Sequence, residues 1–349
     1  MILPDTAGSD FVRGNPPYQE DYNGDSNGAN PIYHKFIDGA REVADKGCLI
    51  HPGRFLYNVG KTPKPWNKKI LHDKHFKILQ YWPQSSDVFS NVDIKGGIVI
   101  SYWDEDEDFG EIGIFTAFSE LNTIIRKVIS RDDFIPFSNI VSPVGTYRLT
   151  DKLYEENPWA LERPSKGHKY DVTSNVFEVF PELFYDNEPR DGEKYIRIFG
   201  RKDNRRCIKW IKEDYVKTPE TFTAYKLFTP KANGTGEFGQ VLTAAEIGAP
   251  YVGHTFTFLS IGGFDTREAA ANAATYIKTK FARTMLYTLK ATQDNLQGTW
   301  NNVPLQNFTS SSDIDWSVSI PEIDQQLYAK YGLNEAEIEF IETHVKEMA

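Results

Sequence analysis

Gly14-Asn15-Pro16-Pro17-Tyr18-Gln19 sets an amide, two prolines and an aromatic ring side by side, one residue after the apolar pair Phe11-Val12. The prolines hold φ at about −65° and carry no N–H. The carbonyls of this turn, that of Asn15 included, are left to point outward as acceptors, and the Asn15 side-chain oxygen adds another. Tyr18 supplies a flat π-face beside them. An exocyclic amino group held flat against a ring suits such a site, because its donors meet oxygens while its ring stacks. Asn15, Pro16, Pro17 and Tyr18 are the candidate catalytic residues.

Other constellations are weaker. His72 and His75 flank Asp73, but no third ligand is evident, so they read as surface histidines and no metal is expected. Cys48 and Cys207 cannot build a disulfide framework or a zinc site. No Ser/His/Asp arrangement stands out. Arg201-Lys202-Asp203-Asn204-Arg205-Arg206 concentrates four bases in six residues. Arg201, Lys202, Arg205 and Arg206 could therefore contact phosphates or base edges.

The elements that must position the turn follow from periodicity. Phe11-Val12 reads as a short strand, and the polar stretch from Glu20 to Ala29 as a loop. Asn30-Pro31 reads as the N-cap and first position of a helix. Ile32, Phe36, Ile37, Ala40, Val43 and Ala44 would form its apolar face, and Gly47 would end it. Cys48-Leu49-Ile50, Phe76 to Tyr81 and Gly97 to Trp103 read as strands, which together suggest part of an open α/β sheet. Ser119 to Ile129 reads as a helix closing this part. Proline and polar residues increase from about Asp132 to Tyr170, which suits a change of domain. Beyond it, Tyr195 to Phe199 and Thr255 to Leu259 read as strands. Asp265 and Glu268 suggest a capping box for one long helix with an apolar stripe of Ala273, Ile277, Phe281, Met285 and Leu289. Lys278, Lys280, Arg283 and Lys290 would decorate its solvated faces. Asn334 and Glu337 repeat the capping pattern.

The chain has 349 residues, enough for two domains with a sizeable core. A net charge of −10 argues against a basic footprint over the whole molecule, so any nucleic-acid contact must come from segregated charge such as Arg201–Arg206. No apolar run approaches the length of a membrane span. No membrane association and a cytoplasmic location are the expectation.

The Asn-Pro-Pro-Tyr turn resembles the catalytic motif of amino-group DNA methyltransferases in their adenine-N6 form. That resemblance implies that the Asn15 side chain and the Pro16 carbonyl bind the amine, and that Tyr18 stacks on an adenine flipped out of the duplex. Pro52-Gly53-Arg54-Phe55-Leu56 and the stretch from Val88 to Gly97 are similar to segments of fused, type IIG restriction–modification enzymes. Phe89 is the candidate for facing the base from the other side, with a place in the core as the alternative. Pro230 to Gly234 and Gly253 to Gly262 are similar to segments of target-recognition domains. Tyr331 to Glu342 is similar to the ending of these enzymes.

The resemblance implies an α/β fold, a partial doubly wound methyltransferase sheet followed by an α+β target-recognition domain. The expected division is 1–130, 131–310 and a helical tail, 311–349. It further implies S-adenosylmethionine as cofactor of the complete enzyme and double-stranded DNA as partner. The cofactor site of such enzymes needs a glycine-rich loop after a buried strand. Fourteen residues precede Asn15, and the candidates further on, Gly234 to Gly239 and Gly262-Gly263, do not follow such a strand. The expectation is a chain without the cofactor half, working with a separate cofactor-binding or nuclease polypeptide. The alternative is a non-catalytic DNA-recognition subunit or a decayed remnant.

Overall fold

The computed structural model describes residues 11–20, 30–57, 61–90, 94, 96–234, 237–290 and 292–348. The chain divides into two compact units, 1–122 and 123–349.

In the first unit, β1 (Val12–Gly14), β2 (Lys46–Pro52), β3 (Phe76–Trp82) and β4 (Ile98–Asp104) form one sheet in the order β1-β2-β4-β3. β1 runs parallel to β2, with Val12 beside Gly47 and Gly14 beside Leu49. β4 is antiparallel to both β2 and β3. Strands β1, β2 and β3 therefore share one direction, with β4 reversed between the last two. A parallel pair needs a long crossover, and α1 (Tyr33–Val43) supplies it between β1 and β2. α2 (Lys64–Leu71) precedes β3.

The expected start of α1 is corrected. Its N-cap is Ile32, with no side-chain cap. Asn30-Pro31 stays extended instead: Pro31 bridges Gln19, and the Ile32 N–H donates to the Tyr18 carbonyl at 3.1 Å. The apolar face is rotated as well. Tyr33, Ile37 and Ala44 are buried, while Phe36 and Val43 are 44% and 54% exposed. The i, i+4 line through Tyr33 and Ile37 carries the larger buried ring, and it wins the sheet side. Gly47 does not end the helix. It lies in β2, where the Trp103 ring occupies the place of a Cβ, 2.3 Å from where one would sit. The core gathers Tyr33, Ile37, Leu49, Phe55, Ile70, Phe76, Val99 and Trp103.

The second unit carries most of α3 (Ser119–Ile129), then β5 (Arg148–Leu149), α4 (Asp151–Glu156) and α5 (Val176–Val179). There follow the hairpin of β6 (Tyr195–Lys202) and β7 (Arg205–Lys212), then β8 (Val216–Lys217), β9 (Tyr225–Pro230), β10 (Glu246–Gly248), β11 (Val252–His254) and β12 (Phe258–Phe264). They make three small sheets, β10-β9-β12, β11-β6-β7 and β5-β8. The expected strand from Thr255 is corrected: Thr255–Thr257 forms a turn, tied by the Thr255 and Thr257 hydroxyls at 3.1 Å, and β12 begins at Phe258.

The single long helix is also corrected. It is two, α6 (Arg267–Tyr276) and α7 (Lys280–Tyr287), and its cap is Thr266 rather than Asp265. The break is stabilised by acceptors. Thr279 caps α7, and the buried Asp324 accepts the Lys280 and Phe281 N–H groups at 3.0 and 2.8 Å. Asp324 lies on α8 (Ile320–Lys330). Two cations assigned to solvated faces are interior. Arg283 donates to the Lys278 and Gln240 carbonyls at 3.1 and 3.2 Å, and Lys290 donates to those of Thr292, Gln293 and Asp294. Backbone carbonyls take the place of water around both.

Asn334 does cap α9 (Glu335–His344), reciprocally with Glu337 at 3.0 and 2.8 Å. Asn334→Ala is expected to cost about 1 kcal/mol, read as a lower denaturant midpoint.

Each unit has one histidine that burial shifts strongly, besides the buried His34 of the first unit. His51 stacks on Tyr33 at 5.2 Å and meets the Ser101 hydroxyl at 2.8 Å. His254 packs edge-on to Tyr147 at 4.8 Å and meets the Ser260 hydroxyl at 3.2 Å. Burial pushes each pKa down to about 4. The unfolded chain takes up both protons near pH 6.5 and the folded one does not. Stability is therefore expected to fall as pH drops from about 6.5 toward 4. Urea midpoints across that range check it, and His51→Gln should flatten the curve of the first unit.

Candidate functional site

β1 ends at Gly14, and the next residues leave the sheet as a turn. Asn15 and Pro17 are exposed, Pro16 and Tyr18 half-buried. The turn is clamped at both ends. On one side β1 is laddered to β2. On the other, the Tyr18 carbonyl takes the Ile32 N–H, and the Glu20 N–H donates to the Asn30 carbonyl at 3.0 Å. A helix crossover sets the parallel pair, and the second clamp is closed across a loop, where Pro31 biases the residue before it to an extended backbone.

Tyr18 faces Phe89, with ring centroids 6.3 Å apart and planes inclined by 59°. Burial raises the Tyr18 pKa, and the neighbouring Asn15 side chain draws it partly back. The Tyr18 hydroxyl is buried and lacks a partner of hydrogen-bond geometry among the described residues.

Phe89 is placed by a residue that the sequence reading passed over. Ser85 is buried; its carbonyl accepts the Phe89 N–H at 2.9 Å and its hydroxyl accepts the Ile94 N–H at 2.8 Å. The Gly97 N–H then donates to the Ile94 carbonyl, and the Gly53 N–H to the Gly97 carbonyl at 2.9 Å. The two motif stretches, Pro52–Leu56 and Val88–Gly97, are thus stitched together beneath Phe89; Asn91, Val92, Asp93 and Lys95 lie outside the described residues. Gly97 is required here, since its φ is +72° and a Cβ would sit 2.4 Å from the Trp82 carbonyl oxygen. Nothing in the sequence separates Ser85 from Ser86. Only the fold does.

A groove of about 400 Å³ runs beside the turn, lined by Val12, Asn15, Pro16, Phe36, Val43 and Lys35 among others. Among the described residues its lining is mainly apolar and includes no carboxylate that could hold a ribose. Two of the candidate glycines, Gly239 and Gly262, have other roles. Thr235 and Gly236 lie outside the described residues. Gly239 packs so closely on the chain that a Cβ would be 2.0 Å from the His344 carbonyl oxygen, and its own carbonyl accepts the Lys346 N–H at 2.9 Å. Gly262, at φ +100°, sits in β12 where the register shifts, under the Phe264 ring. Both positions use glycine for internal packing.

In the second unit the β6–β7 hairpin brings Arg201, Lys202, Arg205 and Arg206 to its tip, with Arg201 opposite Arg206 and Lys202 opposite Arg205. Asp203 and Asn204 close it in left-handed conformation, φ +49° and +62°. Arg206 is ion-paired to Glu246, and Arg201 hydrogen-bonds Asn204. Of the other residues considered, His72 and His75 each bond a backbone carbonyl through Nδ1, those of Lys68 and Glu107, both at 2.8 Å. Asp73 accepts from Arg41 at 2.6 Å. Among the described residues, no helix is long and apolar enough to cross a membrane.

Residues 4–89 match the family described as Eco57I restriction-modification methylase. An uncharacterized adenine-specific methylase of Mycoplasma pneumoniae (strain ATCC 29342 / M129 / Subtype 1) is 30% identical over 114 residues, covering 32% of this chain and 27% of the relative. The type IIG restriction endonuclease BpuSI is 10% identical with a TM-score of 0.33, covering 90% of this chain and 48% of that one. The type IIL restriction-modification enzyme MmeI, solved in complex with DNA, is 12% identical with a TM-score of 0.31, covering 96% of this chain and 56% of that one. The chain spans about a quarter of the length of the curated relative and about half of each solved structure.

Proposed function

From a chain that is restriction–modification adenine-methyltransferase-like, its family match lying in residues 4–89, we propose that it serves as the catalytic-turn and target-recognition part of an adenine-N6 DNA methyltransferase. It would act on duplex DNA in the cytoplasm. The observation that carries this reading is the clamped Asn15–Tyr18 turn with Phe89 facing Tyr18 at 6.3 Å, both inside the matched stretch.

In this reading a flipped adenine lies against Tyr18, with Phe89 bounding the slot. The Asn15 side-chain oxygen and the Pro16 carbonyl accept its two amino N–H bonds. As the nitrogen lone pair leaves conjugation with the ring, those bonds gain positive character, and fixed acceptors stabilise that charge where it develops. The two clamps keep the acceptors in place without reorganisation. Methylase chemistry of this kind draws its methyl group from S-adenosylmethionine. We place its site on residues other than those of the turn and its groove, or on a separate polypeptide. The first unit would be the downstream half of a doubly wound sheet, and residues 131–310 the recognition domain, with Arg201, Lys202, Arg205 and Arg206 toward DNA.

Titration calorimetry tests this reading in two arms. Binding to duplex DNA at low salt is expected, and its absence overturns the DNA reading. With S-adenosylmethionine, micromolar binding would put the donor site on this chain, and silence would put it on a partner.

A further inference from the structure

The tip of the β6–β7 hairpin sets like charges directly across from each other twice in succession, Arg201 opposite Arg206 and Lys202 opposite Arg205. Such pairs destabilise a hairpin. The two pairs lie on opposite faces, because side chains alternate along a strand. Further down, both faces are packed. On the Lys202/Arg205 face, Ile196, Ile198 and Ile211 enter the core, and Gly200 lies under the Phe177 ring. On the Arg201/Arg206 face, Phe199 stacks on Phe228 at 5.1 Å and meets Phe258 at 4.5 Å. The charged tip is the continuation of a firmly held ribbon. Its two-residue closure in left-handed conformation matches the twist of the strands it joins.

The four cations differ in their surroundings. Arg206 is held by Glu246 and lies over the Phe258 ring, and Arg201 is held by Asn204. Arg205 is exposed and Lys202 half-exposed, and neither has an ion pair among the described residues. Glu246 already offsets the Arg201–Arg206 pair, so the uncompensated repulsion is that of Lys202 and Arg205, and a ligand that relieves it must be a polyanion presenting closely spaced charges to the tip of a narrow ribbon. The DNA major groove, about 12 Å wide, admits a two-stranded β-ribbon between rows of phosphates.

We propose that this hairpin enters the major groove of duplex DNA, with Lys202 and Arg205 the pair that takes phosphates. Arg201 and Arg206 are kept oriented by Asn204 and Glu246 and release few counterions. This assignment rests on the DNA-partner reading above and adds the element and the pair.

The test is fluorescence anisotropy of the full chain with labelled duplex DNA over a series of salt concentrations. Each phosphate contact contributes about 0.9 to the slope of log K against log salt. Lys202→Gln with Arg205→Gln should flatten the slope by about 1.8, and Arg205→Gln alone by about 0.9. Arg201→Gln with Arg206→Gln should change it by less than half as much as the first pair. Arg205 is exposed, and unchanged thermal melting of its single variant excludes a folding defect. If the unaltered chain does not bind duplex DNA, the DNA reading itself fails. If it binds and the Arg205→Gln slope is unchanged, the hairpin assignment alone fails. Equal binding of heparin, single strands and duplex, all lost alike, would also overturn insertion in the groove.

Discussion

Asn15→Ala is expected to lower methyl transfer to adenine by about 10²–10³-fold, equivalent to about 3–4 kcal/mol of barrier. The side-chain oxygen is one of two acceptors available to the amino group, and removing it leaves one N–H bond unmet as charge builds on the nitrogen. DNA affinity and thermal melting should not change, because Asn15 is exposed. Single-turnover rates on duplex DNA with the complete enzyme check it. A variant that loses melting temperature or DNA affinity in proportion to rate would show that Asn15 shapes the turn rather than the reaction.

The largest expected loss of stability is at Trp103. Its side chain is fully buried, its ring fills the space over Gly47, and its indole N–H donates to the Ala44 carbonyl at 3.0 Å. Trp103→Ala removes that packing, leaves a cavity between β2, β4 and the end of α1, and strands a buried carbonyl. The cost should be about 3–5 kcal/mol. A domain is commonly stable by only about 5–15 kcal/mol, so the first unit should sit near its unfolding transition at room temperature. Denaturant titration checks this, and a loss below about 1 kcal/mol would mean the sheet closes over the gap.

These two residues were not equally legible in the sequence. The Asn15–Tyr18 turn stands out in the sequence because two prolines leave few conformations open to it. Strands β2, β3 and β4 were legible as apolar runs. Trp103 is one tryptophan among seven until the register opposite Gly47 is known. The start and face of α1 were misplaced for a related reason. Asn30-Pro31 has the chemistry of a cap, yet its backbone is recruited by Tyr18 and Gln19 across a loop, a contact that no local pattern contains. The break between α6 and α7 depends on Asp324, more than forty residues away in sequence. Arg283 and Lys290 read as surface cations because the carbonyls that solvate them come from other segments or from a returning turn. Ser85 holds Phe89 through backbone bonds that any residue could have made on one side, and only its hydroxyl bond to Ile94 is specific.

The most direct measurement is mass spectrometry of nucleosides from duplex DNA incubated with the complete enzyme and S-adenosylmethionine. The account predicts N6-methyladenine, and its loss in Asn15→Ala. Methyl groups found on cytosine, or no methylated base from a preparation that binds both DNA and S-adenosylmethionine, would contradict it.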